Sequence, residues 1–323
     1  MLAQRIGPLD VSKVGVSLTT ESSPGKDPSH HQKSTSLVAG IGGFTDSGPG
    51  RKNYCDCAKR IYYDKFVELG DGRTYKGEWL ANTKDIKDGV GVMFWADGTK
   101  YEGTFHLDQP HGYGRKIFSN GEYYEGHFLG GKANGQGSFQ DLNGGKYEGE
   151  WKDDKQHGYG KEVWNNGAET YEGQFIEGKK NGGGRFMWVD GSYYEGDFVE
   201  GLFHGHGTYY FKDTEKTYTG AFIEGRMEGD GETKWADGRE FTGHFINGRE
   251  EGDGTLRFPN GNIYIGRFKE GKMHGFAVFI NAEEKTKRHG EWKDGKRIAW
   301  LSSAEGIQTS GSPIKNLSHL SRK

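Results

Sequence analysis

The chain has 323 residues, of which 56 are Gly and only 7 Pro; 32% are hydrophobic, 14% aromatic, and the net charge is −3. Glycine at this level without a Gly-X-Y register excludes collagen, and so many rings exclude a simple disordered polymer, which is poor in aromatics. The balanced charge points away from nucleic acid, and no run of about 18 apolar residues is present to cross a membrane as a helix.

Residues 1–53 are rich in Ser, Gly, Lys and His (ESSPGKDPSHHQKSTS, then GIGGFTDSGPG). Such composition is expected of a flexible arm. Its first residues lack the apolar stretch of a secretory signal, so the chain is expected to act inside the cell, in the cytoplasm. Residues 54–65 form a lead-in containing Cys55 and Cys57. These are read as reduced thiols, since two ligands fall short of the four of a structural zinc. Phe66–Leu69, ahead of Asp71–Gly72, then reads as the outer strand of a half-repeat.

From there a pentad recurs. It runs YKGEW from Tyr75, YEGTF from Tyr101, YEGHF from Tyr124, YEGEW from Tyr147, YEGQF from Tyr171 and YEGDF from Tyr194. YTGAF from Tyr218, FTGHF from Phe241, YIGRF from Tyr264 and a worn RHGEW from Arg288 complete the series. After a first interval of 26 the spacing is 23 or 24. A second motif, G-x-G, interleaves with the first from Gly89–Gly91 to Gly252–Gly254 and decays to Gly275–Ala277. A Trp or Phe usually follows it four residues on, except at Asp141, and then an Asp-Gly or Asn-Gly turn such as Asp97–Gly98, Asn120–Gly121 or Asn166–Gly167. The seventh repeat lacks that turn glycine at Asp213–Lys216.

Asp-Gly and Asn-Gly between alternating segments predict type I′ hairpins, whose two central residues both need φ > 0. Each repeat is therefore two antiparallel strands, about nineteen in all. Period 2 puts Tyr101, Gly103 and Phe105 on one face, as it does Tyr124, Gly126 and Phe128, or Tyr147, Gly149 and Trp151. Tyr171, Gly173 and Phe175 follow, then Tyr194, Gly196 and Phe198. The glycine leaves a gap into which a neighbouring ring is expected to fit. Glu291–Trp292 is expected to be the closing strand, and residues 298–323 a polar tail.

The pattern Y-E-G-x-[FW] with interleaved G-x-G and turn, over residues 66–297, resembles the MORN-repeat family. The resemblance implies an all-β fold, an elongated twisted antiparallel sheet of consecutive β-hairpins with about nine full repeats and worn ends. Stand-alone arrays of this kind resemble components of cytoskeletal assemblies, notably the radial spokes of the ciliary axoneme.

Chemistry is sparse. No G-x-G continues into a phosphate-binding loop, so no cofactor is expected. His111, His157, His204 and His274 precede the G-x-G motif, but repeats stand too far apart to share an ion, and His204 with His206 lacks a third ligand. No metal site and no catalytic residue is assigned, and an enzyme is not expected. The column Glu102, Glu125, Glu148, Glu172 and Glu195 either binds a basic partner or keeps an open sheet soluble, and the second reading is favoured.

Candidate interaction residues are those that break the repeat. Tyr123 and Tyr193 add a ring to the charged face, Leu202 and Phe203 put apolar groups in a connecting loop, and Ile263 and Ile265 replace polar residues. Residues 61–298 hold 32 Lys+Arg against 40 Asp+Glu, a net of −8, while the rest hold 11 against 6, a net of +5. An acidic array is not expected to hold membrane lipids. The expectation is a non-catalytic scaffold for other proteins in a multi-subunit assembly, capable of self-association. A phospholipid tether or an accessory subunit of another complex is the alternative.

Overall fold

A computed structural model describes residues 59–83, 85–164 and 167–307. The arm and most of the tail lie outside the described residues, as do Cys55, Cys57 and Asn166. Among the described residues twenty-two strands form one antiparallel sheet. They are β1 (Arg60–Glu68), β2 (Thr74–Leu80), β3 (Lys87–Phe94), β4 (Lys100–His106), β5 (Gln109–Ile117), β6 (Tyr123–Leu129), β7 (Lys132–Gln140) and β8 (Lys146–Lys152). Next come β9 (Lys155–Trp164), β10 (Glu169–Ile176), β11 (Lys179–Met187), β12 (Tyr193–Val199), β13 (Leu202–Phe211), β14 (Lys216–Ile223), β15 (Arg226–Lys234) and β16 (Glu240–Ile246). The series ends with β17 (Arg249–Arg257), β18 (Ile263–Lys269), β19 (Lys272–Asn281), β20 (Thr286–Lys293), β21 (Lys296–Trp300) and β22 (Glu305–Gly306).

Each strand pairs with the next as far as β21, while β22 shares with β21 the far edge of β20. Among the described residues the first strand begins at Arg60, ahead of the expected Phe66. The closing edge lies beyond Glu291–Trp292, which sit within β20.

The pentad explains itself in three dimensions. Tyr101 lies over Gly103 of its own strand and Gly114 of the next, and a Cβ on Gly114 would stand 2.3 Å from the tyrosine hydroxyl. The ring filling the glycine gap therefore belongs to the same pentad, not to a neighbour. Its hydroxyl donates to the Thr104 carbonyl three residues on, at 2.9 Å, and the same bond recurs from Tyr75 to Tyr264. Phe105 meets Tyr101 edge-on at 5.0 Å and Tyr75 of the previous repeat at 5.1 Å. Repetition gives an unbroken edge-to-face chain of rings from Trp79 to Trp292, with centroids about 5 Å apart, the favoured geometry for aromatic pairs.

The two glycines of G-x-G have different reasons. The second is excluded from carrying a Cβ by the tyrosine. The first has positive φ, 67° at Gly112 and 80° at Gly182. It sits where the hairpin register slips between Gly103 and Phe105, a bulge that favours such a conformation.

Turn chemistry differs from the expectation. The type I′ signature, two successive positive φ values, falls at Leu107–Asp108, Gly130–Gly131, Asp153–Asp154, Glu177–Gly178, Glu200–Gly201, Glu224–Gly225, Asn247–Gly248, Glu270–Gly271 and Asp294–Gly295. At Asp97–Gly98 only the glycine is left-handed. The Asp97 carboxylate accepts the Thr99 N–H at 2.9 Å, and Gly98 N–H donates to the Trp95 carbonyl, which describes an Asx-stabilised turn closed by an αL glycine. Asp71, Asn120, Asp190, Asp237 and Asn260 repeat that bond. The missing glycine of the seventh repeat is replaced by Glu215 at φ 47°.

The type I′ turns also clip to one another. Gly178 N–H donates to the Gln156 carbonyl, Gly201 to Lys180 and Gly225 to Phe203, at 2.8 to 2.9 Å. A glutamate in αL is strained, and asparagine tolerates it better. Glu270 has φ 50° and its carboxylate makes no ion pair among the described residues. Glu270→Asn is therefore expected to raise the thermal midpoint, by about 0.5–1 kcal/mol of stability, as read by circular dichroism melting.

Burial raises the tyrosine hydroxyls well above their ordinary pKa. Tyr218 and Tyr264 are pushed up to about 12, and Tyr101, Tyr147 and Tyr171 further. A group whose pKa is higher folded than unfolded stabilises fully below its unfolded value, near 10, and the contribution is lost as pH rises through the folded one. The array should stay intact to about pH 10 and lose structure cooperatively above it, with tyrosinate absorbance and the loss of sheet signal coinciding.

Candidate interaction surfaces

One face of the ribbon carries the ring chain together with the half-buried column Trp95, Phe118, Trp164, Phe211, Trp235 and Phe258, and the more exposed Tyr113, Tyr159 and Phe276 stand on the other. Register defines two long rows there. Nearest the glycines run Glu102, Arg115, Glu125, Ser138, Glu148, Lys161, Glu172, Arg185, Glu195 and Thr208, each opposite the next. The glutamate column is therefore interleaved with bases. Glu195 meets Arg185 at 3.3 Å, Glu172 meets Lys161 at 3.8 Å and Glu125 meets Arg115 at 3.8 Å. Exposed pairs of this kind add little stability. They do neutralise the column, which weakens its reading as an anionic docking stripe.

The second row holds Tyr123 and Tyr193, both half-buried. Arg115 lies 4.2 Å from the Tyr123 ring and Arg185 4.4 Å from Tyr193, while Tyr193 also packs on Tyr210 at 5.4 Å. Ile263 and Ile265 are half-buried on this same face of β18.

Phe203 is a correction. It is 2% exposed on the core face, stacked at 3.9 Å on Tyr194, and offers no surface. The assumed connecting loop is the start of β13, so Phe203 pairs with Phe198 and points inward, leaving only Leu202 half-exposed. The histidines before G-x-G serve through their backbone, the carbonyls of His204 and His274 each lying near a core tyrosine hydroxyl, at 3.3 and 3.4 Å. Among the described residues no group of three or more His, Cys, Asp or Glu is placed to hold a metal ion.

A profile of the MORN repeat matches ten segments, from 75–100 and 101–123 through 264–282 to 289–297, spanning most of the array. The chain belongs to the MORN-repeat family. Alsin of Rattus norvegicus is 38% identical over 87 residues, and alsin of Homo sapiens 37% over 87 residues. That stretch is 25% of this chain, and it spans only 5% of either alsin. The TCP domain of SAS-4 from Drosophila melanogaster, solved with a proline-rich motif of Ana2, aligns over 69% of this chain and 99% of its own. Its TM-score is 0.28 and its identity 15%, too low to bear on function.

Three clusters in the MORN array escape the repeat pattern. Glu162 and Lys180 are fully buried and joined at 2.8 Å, with Gln156 donating to Glu162 at 3.2 Å. The Lys180 ammonium also faces Trp164 at 4.6 Å and Tyr171 at 5.1 Å. Near the first repeat Asp88 is buried against Arg60 and His106, both at 2.9 Å. Burial opposes its ionisation, but the hydrogen bonds from Arg60, Leu107 N–H and His106 outweigh it and hold the carboxyl below its usual range. The third cluster joins Ile263 and Ile265 to Phe276, Val278 and Ile280 of β19. Alternation counted through GFAVFIN would have found it, had the loss of G-x-G there not resembled simple decay of the repeat.

Proposed function

We propose that this MORN array is a non-catalytic scaffold that docks other proteins on its outer face within a larger assembly. The observation that carries the reading is the division of labour between faces. The Tyr and Phe rings of the pentads are spent on one another, with a half-buried Trp and Phe column beside them, whereas large side chains on the outer face stand more open, Tyr113, Tyr159 and Phe276 being more than half exposed. Exposed apolar groups on a rigid polar sheet suit protein docking. The family is a non-enzymatic repeat, which agrees with the sparse chemistry of the strands. The finer placement, a cytoskeletal assembly of the axonemal radial-spoke type, is supported by the resemblance of stand-alone arrays. Proximity labelling of the tagged chain in its source cell tests both levels. Enrichment of the proteins of one cytoskeletal assembly is expected, and labelling at background would contradict the scaffold itself.

A further inference from the structure

The outer face changes character at its last full hairpin. In the row nearest the glycines the cross-strand pairs run Glu148–Lys161, Glu172–Arg185, Glu195–Thr208, Thr219–Glu232 and Thr242–Thr255, and then Ile265–Val278. In the second row Glu240–Arg257 gives way to Ile263–Ile280. Phe276, on the same face of β19, is 69% exposed. Five apolar side chains thus form a stripe two strands wide: the Ile263–Ile280 and Phe276 positions hold rings in some earlier repeats too, as at Tyr193–Tyr210, Tyr113 and Tyr159, and the apolar Ile265–Val278 pair joins them into one patch.

The stripe has basic flanks. Arg257 of β17 stands opposite Ile263, Lys287 and His289 of β20 stand opposite Ile280 and Val278, and Glu291 opposite Phe276 is the one acidic neighbour in that β20 row. Arg267 lies at the end of the stripe, 3.7 Å from Asp253, and Lys287 is 3.3 Å from Glu305. Both pairs are exposed and easily exchanged. The wider charge distribution has the same sense. Residues 61–256 hold 22 Lys+Arg against 35 Asp+Glu, a net of −13, whereas residues 257–298 hold 10 against 5, a net of +5.

We infer that this stripe binds an acidic amphipathic helix of a partner protein, laid along β18 and β19. The inference rests on the scaffold reading and adds the partner's chemistry. Two strands at ~4.8 Å spacing make a strip about as wide as one helix, ~10 Å across. A helix resting its apolar face on Ile263, Ile265, Val278 and Ile280 brings its flanking carboxylates to Arg257 on one side and to Lys287 and His289 on the other. Two copies of this chain meeting stripe to stripe would instead bring like charges together.

The test uses the full chain and two synthetic peptides of about 18 residues with one apolar leucine face, one bearing Glu and the other Lys elsewhere. Fluorescence anisotropy is read for the natural chain and for Ile265→Thr/Val278→Thr, which copies the Thr242–Thr255 pair of the preceding hairpin. The Glu peptide is expected to bind, to weaken with added salt, and to lose at least about tenfold in affinity in the Thr variant. Unchanged circular dichroism and melting would show that the variant remains folded. Equal binding of the Lys peptide, or no loss in the folded Thr variant, overturns the inference. So does self-association or binding to phosphatidylserine vesicles that disappears in the Thr variant. If the Glu peptide fails while proximity labelling of the full chain still succeeds, the helix is refuted and the scaffold stands.

Discussion

Lys180→Met is expected to destabilise the array by roughly 3–5 kcal/mol, because it strands the Glu162 carboxylate in a wall of rings. Both members of the pair are enclosed, with Lys180 3% exposed and Glu162 0%. Removing one partner exposes the desolvation penalty of the other, whereas replacing the whole cluster does not. Neighbouring repeats supply the replacement: Ala133 stands where Gln156 does, Phe186 where Glu162 does, and Met227 where Lys180 does. The triple variant Gln156→Ala/Glu162→Phe/Lys180→Met should therefore recover most of the loss, or exceed the natural chain. Urea midpoints of the three proteins check this, with hydrogen exchange of β9 to β11 reporting whether any loss is local. A neutral Lys180→Met would mean that water reaches the pair.

The second large effect separates two adjacent glycines. At Gly184 a Cβ would stand 2.4 Å from the Tyr171 hydroxyl, and at Gly183 it would meet nothing within 4 Å. Gly184→Ala must lift a ring that is wedged edge-on against Phe175 and Phe198, at 5.1 and 5.0 Å. Overpacking of this kind costs about 1–3 kcal/mol or more. Gly183→Ala faces outward in a strand and should be neutral or stabilising by up to about 1 kcal/mol. Melting the two single variants side by side decides the matter. Equal effects would show that the Tyr171 ring yields to a Cβ at Gly184 at no cost.

Much of this fold is legible in the residues. Tyr and Phe on either side of a glycine, at a period of 23 or 24, specify paired strands, one aromatic face and the array as a whole. What escapes is whatever depends on three-dimensional context. Asp-Gly suits both a type I′ turn and an Asx turn closed by an αL glycine. Only the carboxylate-to-amide bond of Asp97 to Thr99 chooses between them. Phe203 resembled a loop residue because the stretch between pentad and G-x-G reads as a connection, whereas only Glu200–Gly201 makes the turn and β13 starts at once with Leu202. Glu162 and Lys180 are 18 positions apart on different hairpins, so neither looks unusual in its own strand. Ile263 and Ile265 stand out in the sequence, but their β19 partners Val278 and Ile280, and Phe276 beside them, sit where the repeat motif fades, and the pairing of β18 with β19 joins them into one stripe.

The claim that this MORN array holds partners by its outer face is tested most directly by photo-crosslinking in the source cell. A benzophenone side chain replaces Phe276 on that face, or Leu142, which is 66% exposed in a turn and serves as the control. Discrete higher-mass adducts from position 276, and none from position 142, are the predicted result. Adducts of equal strength from both positions, or none from position 276 while the protein remains folded and soluble, would contradict it.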